Sequence, residues 1–173
     1  GSKKTQAVAA ARKLLSMGAT AVFAANKRGN QGAVGLAGEL ISQLSLSLSL
    51  PEPLSFARQD VLQRCTAYLQ AEYGADWIGT QSVRNGAVLH HGDIPQETRE
   101  VLEGLIRNSD VRLVFCTSTL AEGVNLPIRS LVLYSVQRRN MTGVKPMLAR
   151  DIKNLVGRAG RAGANTKGLV LCA

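Results

Sequence analysis

Aromatic side chains are scarce, at 4 % of 173 residues, and a groove that grips single strands by stacking bases on rings needs more of them. Cysteines are few: three, with no CxxC pair. That excludes a zinc ribbon and a disulfide framework, and it suits a reducing, cytoplasmic compartment. Cys116 and Cys172 lie inside apolar runs, where a thiol behaves as a small buried hydrophobe. No apolar run approaches the ~20 residues of a membrane span and no signal peptide is visible, so no membrane partner is expected. Two phosphate-handling signatures are missing as well, the GxxxxGK(S/T) loop and an acidic DExx run on a strand.

What the chain does have is basic charge. Lys and Arg number 21 against 12 Asp and Glu, a net charge of +9, which points to a polyanionic partner. A hydrophobic content of 45 % is ordinary for a folded chain, and the length suits one domain with a real core.

Gly1 and Ser2 read as a cloning remnant, and residues 3–17 as a helix with Ala7, Ala10, Ala11, Leu14 and Leu15 on its apolar side and Gly18 at its end. Residues 20–25 (TAVFAA) form a continuous apolar run, as a parallel strand covered on both faces would. Asn26, Lys27 and Arg28 follow it, at the strand end where open α/β sheets bind ligands. Glycines at 29, 32, 35 and 38 weaken the start of a helix over 30–43. An imperfect helix is favoured there over a phosphate cradle, because no Lys-Ser/Thr ending follows. The period-two run LSLSLSL (44–50) stops at Pro51 and Pro53, and 44–54 reads as a loose helix end or insertion. A helix is expected over 56–73, stopped by Gly74, and 75–86 reads as irregular. Strands are expected at 88–90, 111–116, 131–136 and 168–172. Pro95 opens a helix to Ile106, with Pro95 itself and Glu97 in its first turn, and 137–145 is a basic loop carrying Arg138, Arg139 and Lys145. Strands alternating with helices specify a parallel sheet flanked by helices on both faces.

The run DIKNLVGRAGRAG (151–163) sets Arg158 and Arg161 three residues apart, framed by Gly157, Gly160 and Gly163. On a helix both guanidiniums share a face and suit a polyphosphate. A Gly-rich turn with two solvated arginines explains the same residues. His90, His91, Gly92 and Asp93 (HHGD) lack a third or fourth ligand at metal spacing, so no metal site is expected.

Four segments in order carry a resemblance: AVFAANKRG, LHHGDIPQETRE, CTSTLAEGVNLP and NLVGRAGRAG. Together they resemble motif IV, the segment between IV and V, motif V and motif VI of superfamily II helicases of DEAD/DEAH type. Gln96 and Arg99 repeat the QxxR spacing of DEAD-box proteins, whereas HHG with TLAEGVNLP looks like the superkiller-like and Lhr-type branch. The resemblance is weakest over 43–86, which reads as a variable, insertion-like region. Lacking the P-loop and the acidic motif, the chain resembles only the second RecA-like domain, and it looks excised from something larger.

The resemblance implies an α/β, RecA-like fold and a parent that hydrolyses ATP with Mg²⁺ and moves along DNA or RNA. ATP and Mg²⁺ would be held mainly by the first RecA-like domain, the expected partner. Arg161 would be the arginine finger, Arg158 its companion, and Asn154 stands where many relatives have Gln. Gly123, Asn125, Gly157 and Gly160 would lie at the nucleotide. Asn26, Arg28, Gly92, Thr117, Ser118 and Thr119 would touch the nucleic-acid backbone. The other reading is a catalytically silent RecA-like scaffold that binds nucleic acid or protein.

Overall fold

The computed structural model describes residues 1–122, 126–135, 137–140, 143–146 and 169–172. The apolar run after Ala19 forms β1 (Thr20–Phe23), with all four positions buried. It runs parallel between β3 (Leu113–Cys116) and β4 (Ser130–Leu133). Outside these lie β2 (Ala87–His90), beside β3, and β7 (Leu169–Cys172), beside β4, giving the order β2-β3-β1-β4-β7. Every pairing in this sheet is parallel, so the chain must cross over between strands, and right-handed crossovers put helices on both faces.

One layer holds α1 (Lys3–Leu14), α2 (Ala33–Ser45) and α4 (Ile78–Arg84), with α1 on β1 and β4, α2 on β2 and β3, and α4 on β2. The other face carries α5 (Gln96–Arg107), which buries Leu102, Leu105 and Ile106. Side chains alternate along a strand, so His90, which bonds Glu103 of α5, points opposite to Leu89. Helix α3 (Gln59–Tyr73) packs on α4 and reaches α5 through Tyr68 and Tyr73, whose hydroxyls both bond Thr98. It thereby joins the two layers at the β2 end of the sheet. Phe23, Leu36, Leu40, Leu69, Leu89 and Phe115 are among the fully buried side chains.

Three expectations need correction. Residues 75–86 are not irregular, because 78–84 form α4. Its buried face is Gly79, Thr80, Ser82 and Val83, too small and polar to register as an apolar stripe. Ser82 Oγ donates to Ile78 O within the helix (2.7 Å). The basic stretch 137–145 is not a loop but an antiparallel hairpin, β5 (Gln137–Asn140) with β6 (Gly143–Pro146). Pro95 precedes α5 as its N-cap and does not sit in the first turn. Elsewhere LSLSLSL is no strand: α2 runs to Ser45 and the chain then turns. Ser2, at the presumed remnant, caps α1 by accepting from Thr5 N (3.1 Å).

A buried arginine bolts helix α1 to the segment after α2. Arg12 donates to Pro51 O (2.9 Å), Leu50 O (3.2 Å) and Gln43 Oε1 (3.3 Å). Gln43 Nε2 in turn donates to Thr5 O (3.0 Å) and Glu39 Oε1 (3.1 Å). Both side chains are 1 % exposed, so the guanidinium's cost of burial is offset by three fixed acceptors.

Candidate nucleic-acid interface

Parallel strands all end on the same edge, so the segments leaving β2, β3 and β1 emerge side by side. They are stitched together there. Thr117 N donates to His90 O (3.2 Å) and Ala24 N to Cys116 O (2.9 Å). A Cβ placed on Gly92 would stand 3.4 Å from Thr119 Oγ1, so the turn after β2 touches the 3-10 turn Ser118–Ala121 after β3. Arg99 Nη1 reaches Gly92 O at 3.5 Å.

Charge links β1 to β2 across this edge. Asp93 pairs with Lys27 (2.7 Å) and Arg28 (2.8 Å). The Lys27 hydrogen bond, aided by the charges of Lys27 and Arg28, holds the Asp93 carboxyl below its ordinary range. Arg28 stays 78 % exposed and Lys27 48 %, so both cations still face solvent.

Thus Asn26, Arg28, Gly92 and Thr119 come together at one sheet edge. Thr117 and Ser118 share the edge, but their side chains are buried, which leaves Thr119, half-buried, as the accessible hydroxyl of the three. Lys27 and Asp93 belong to the cluster too, although sequence reasoning, which placed Lys27 at the strand end and Asp93 in HHGD, assigned neither a contact to nucleic acid. Their pairing spans 66 residues, and its only trace in the sequence is opposite charge in two neighbouring motifs. Arg158, Arg161, Asn154, Gly157, Gly160, Gly123 and Asn125 lie outside the described residues.

The glycine-rich loop after β1 does not fit a nucleotide polyphosphate. A Cβ on Gly32 would meet Arg28 O at 2.3 Å, and one on Gly35 would meet Asn30 O at 2.3 Å. The loop's own backbone fills that space, and only glycine tolerates such an approach. The first-turn donors of α2 are also taken, Ala33 N by Asn26 O (2.9 Å) and Val34 N by Lys27 O (3.1 Å).

Buried histidines stiffen the HHGD turn. Burial pushes the pKa of His90 down against the raising effect of Glu103, and burial lowers that of His91. Burial pushes the Cys65 thiol up to about 11 and the Cys116 thiol up to about 12, so neither is a nucleophile at neutral pH. Among the described residues no group of three or more His, Cys, Asp or Glu could hold a metal ion, and no helix is long and apolar enough to cross a membrane.

A family model for the helicase conserved C-terminal domain matches residues 58–163. Hachiman protein HamB of Bacillus cereus is 27 % identical over 175 residues, covering 99 % of this chain and 14 % of that protein. The antiviral helicase SKI2 of Saccharomyces cerevisiae is 29 % identical over 89 residues, 51 % of this chain and 7 % of that protein. The ATP-dependent DNA helicase Hel308 of Thermoplasma volcanium is 33 % identical over 94 residues, 54 % of this chain and 14 % of that protein. The chain therefore spans only a small part of each relative.

Proposed function

Because the chain belongs to the helicase conserved C-terminal domain family, we propose that it is the second RecA-like domain of an ATP-dependent superfamily II helicase of the superkiller-like branch. Its task is to hold a DNA or RNA backbone at the carboxyl edge of its sheet and to complete an ATP site on a first RecA-like domain. The observation that carries this reading is the convergence of three adjacent strand ends on one basic, Gly- and Thr-bearing edge. Lys27, Arg28 and Thr119 meet there around the Gly92 turn. Such groups contact phosphates without reading bases.

ATP and Mg²⁺ belong in this reading to the first domain, since the loop after β1 offers them no room. Arg161 is the finger, Arg158 its companion, and Asn154 a positioning group. Gly157, Gly160, Gly123 and Asn125 line the approach to the nucleotide. An arginine aimed at charge that appears only in the transition state acts on turnover more than on binding. On its own the chain has no ATPase activity.

In the full-length protein, Arg161→Ala lowers kcat for ATP by about 10³, with far less loss of nucleic-acid affinity. Arg161→Lys rescues poorly, because an ammonium cannot reproduce the planar fork. Steady-state ATPase assays with and without oligonucleotide check this. Turnover within a few-fold of wild type in Arg161→Ala would refute the assignment and favour the scaffold reading.

A further inference from the structure

The opposite edge of the sheet holds a second cluster of cations. Ala19, Arg112 and Arg129 immediately precede β1, β3 and β4, the three central strands. Their backbones are laced together: Thr20 N donates to Arg112 O (2.6 Å), and Ala19 O accepts from Arg129 N (2.8 Å) and Ser130 N (3.1 Å). The two arginines therefore flank one position. Together with Met17, Ser109, Val111 and Pro127 they line a cavity of about 320 Å³.

Both cations are set up for an anion. Arg112 Nη1 is fixed on Leu15 O (2.8 Å), and its guanidinium lies over the Phe56 ring, 5.2 Å from the centroid. That leaves the rest of its donor fork preorganised. Arg129 Nε is buried with no hydrogen-bond partner among the described residues, a costly state for a donor. No carboxylate lines the cavity, and the neighbouring Asp110 faces Arg58 instead (3.7 Å). No motif in the sequence marks this place, because 17, 112 and 129 are far apart along the chain.

We propose that this cavity is a binding site for a phosphate monoester carried on a small apolar body, separate from the nucleic-acid face. Two guanidiniums balance a divalent oxyanion and can grip it with paired hydrogen bonds, as they would not need to for a single carboxylate. Met17 and Pro127 offer the apolar wall, with Val111 buried behind it. The volume equals about ten waters at roughly 30 Å³ each, enough for a phosphate and one ring. Four-residue strands keep this edge about 13 Å from the other, so occupancy here does not compete with strand binding there. The same chemistry is presented by a free organophosphate or by the 5′-terminal phosphate of a nucleic-acid strand.

The test is a titration of the 173-residue chain with phenyl phosphate, inorganic phosphate and benzoate, followed by the Met17 methyl resonance and by calorimetry. Phenyl phosphate should bind saturably at one site, about fivefold or more tighter than either of the others. Arg129→Gln should weaken it by about tenfold or more. Met17→Glu keeps both arginines and places a carboxylate at a half-exposed position on the rim; it should cause a similar loss and so guards against a misfolded Arg129 variant. A 5′-phosphorylated oligonucleotide that shifts Met17, beside a 5′-hydroxyl one that does not, supports the site and assigns it to strand ends; no shift with either, alongside phenyl phosphate binding, supports it as a site for a free organophosphate. The site is overturned if phenyl phosphate shows no saturable response, if benzoate binds equally well, or if both variants stay within twofold of wild type. None of these readings depends on ATP turnover or on strand binding at the carboxyl edge.

Discussion

His90 is fully buried with Nε2 2.9 Å from Glu103 Oε1, while its Nδ1 is buried with no partner among the described residues. The pair suits a neutral ring whose Nε2–H donates to the carboxylate, since a second proton on Nδ1 would bury an unmatched donor. Folded-state pKa values of His90 and His91 thus lie below the ordinary 6.5. Near and below that pH the unfolded chain binds more protons than the folded one, so stability rises with pH. The contribution is complete above about 6.5 and drains as pH falls through the two depressed values. The urea midpoint should accordingly drop between pH 7.5 and 5, and His90→Gln should flatten that slope. A midpoint that rises on acidification would contradict this picture. Single residues also show what sequence can and cannot reveal. Gly92 and Thr119 stand out by motif, whereas the burial of Thr117 and Ser118 and the grip of Asp93 on Lys27 arise only when distant segments meet.

Among the elements, the central strands were legible because a strand covered on both faces has to be apolar, as AVFAA (21–25) and LVFC (113–116) are. Helix α5 was legible through its start, where Pro95 and the acidic Glu97 mark an N-terminus. Helix α4 was not, since Gly79, Thr80 and Ser82 pack closely by being small, and hydrophobicity does not measure smallness. The pairing of β5 with β6 was hidden by composition, because a run with Arg138, Arg139 and Lys145 carries no apolar alternation and reads as a solvated loop. The Arg12 bolt was equally invisible, because an arginine on a helix normally reads as solvated. Arg12→Ala should destabilise the fold by about 3 kcal/mol, leaving the buried Gln43 acceptor and the part-buried carbonyls of Leu50 and Pro51 unmatched. Urea unfolding measures the loss. Limited proteolysis should show faster cleavage near Leu46 and Leu48, exposed at 68 % and 42 %. An unchanged midpoint would mean that water replaces the bolt without cost.

For the molecule as a whole, the proposed nucleic-acid role meets a net charge of +9 and few rings, so affinity for single strands is expected to come mainly from phosphates. With about three to five phosphate contacts, binding to an oligonucleotide should fall by roughly 10- to 100-fold between 50 and 200 mM salt. Asp93→Asn frees Lys27 and Arg28 and should raise low-salt affinity by about two- to fivefold, a modest gain because both cations are already solvent-facing. Fluorescence anisotropy across a salt series checks both, and a flat series would point to contacts other than phosphate. The strand order also acts in time. β1 lies at the centre of the sheet, and Thr20 pairs with Leu113 and Ser130, roughly a hundred residues later in the chain. A ribosome adding about 5–20 residues per second leaves TAVFAA without its neighbours for about 5–20 s. During that interval an apolar strand that will be buried on both faces stands as a bare, sticky edge, and that exposure ends only when β4 has emerged to close the gap.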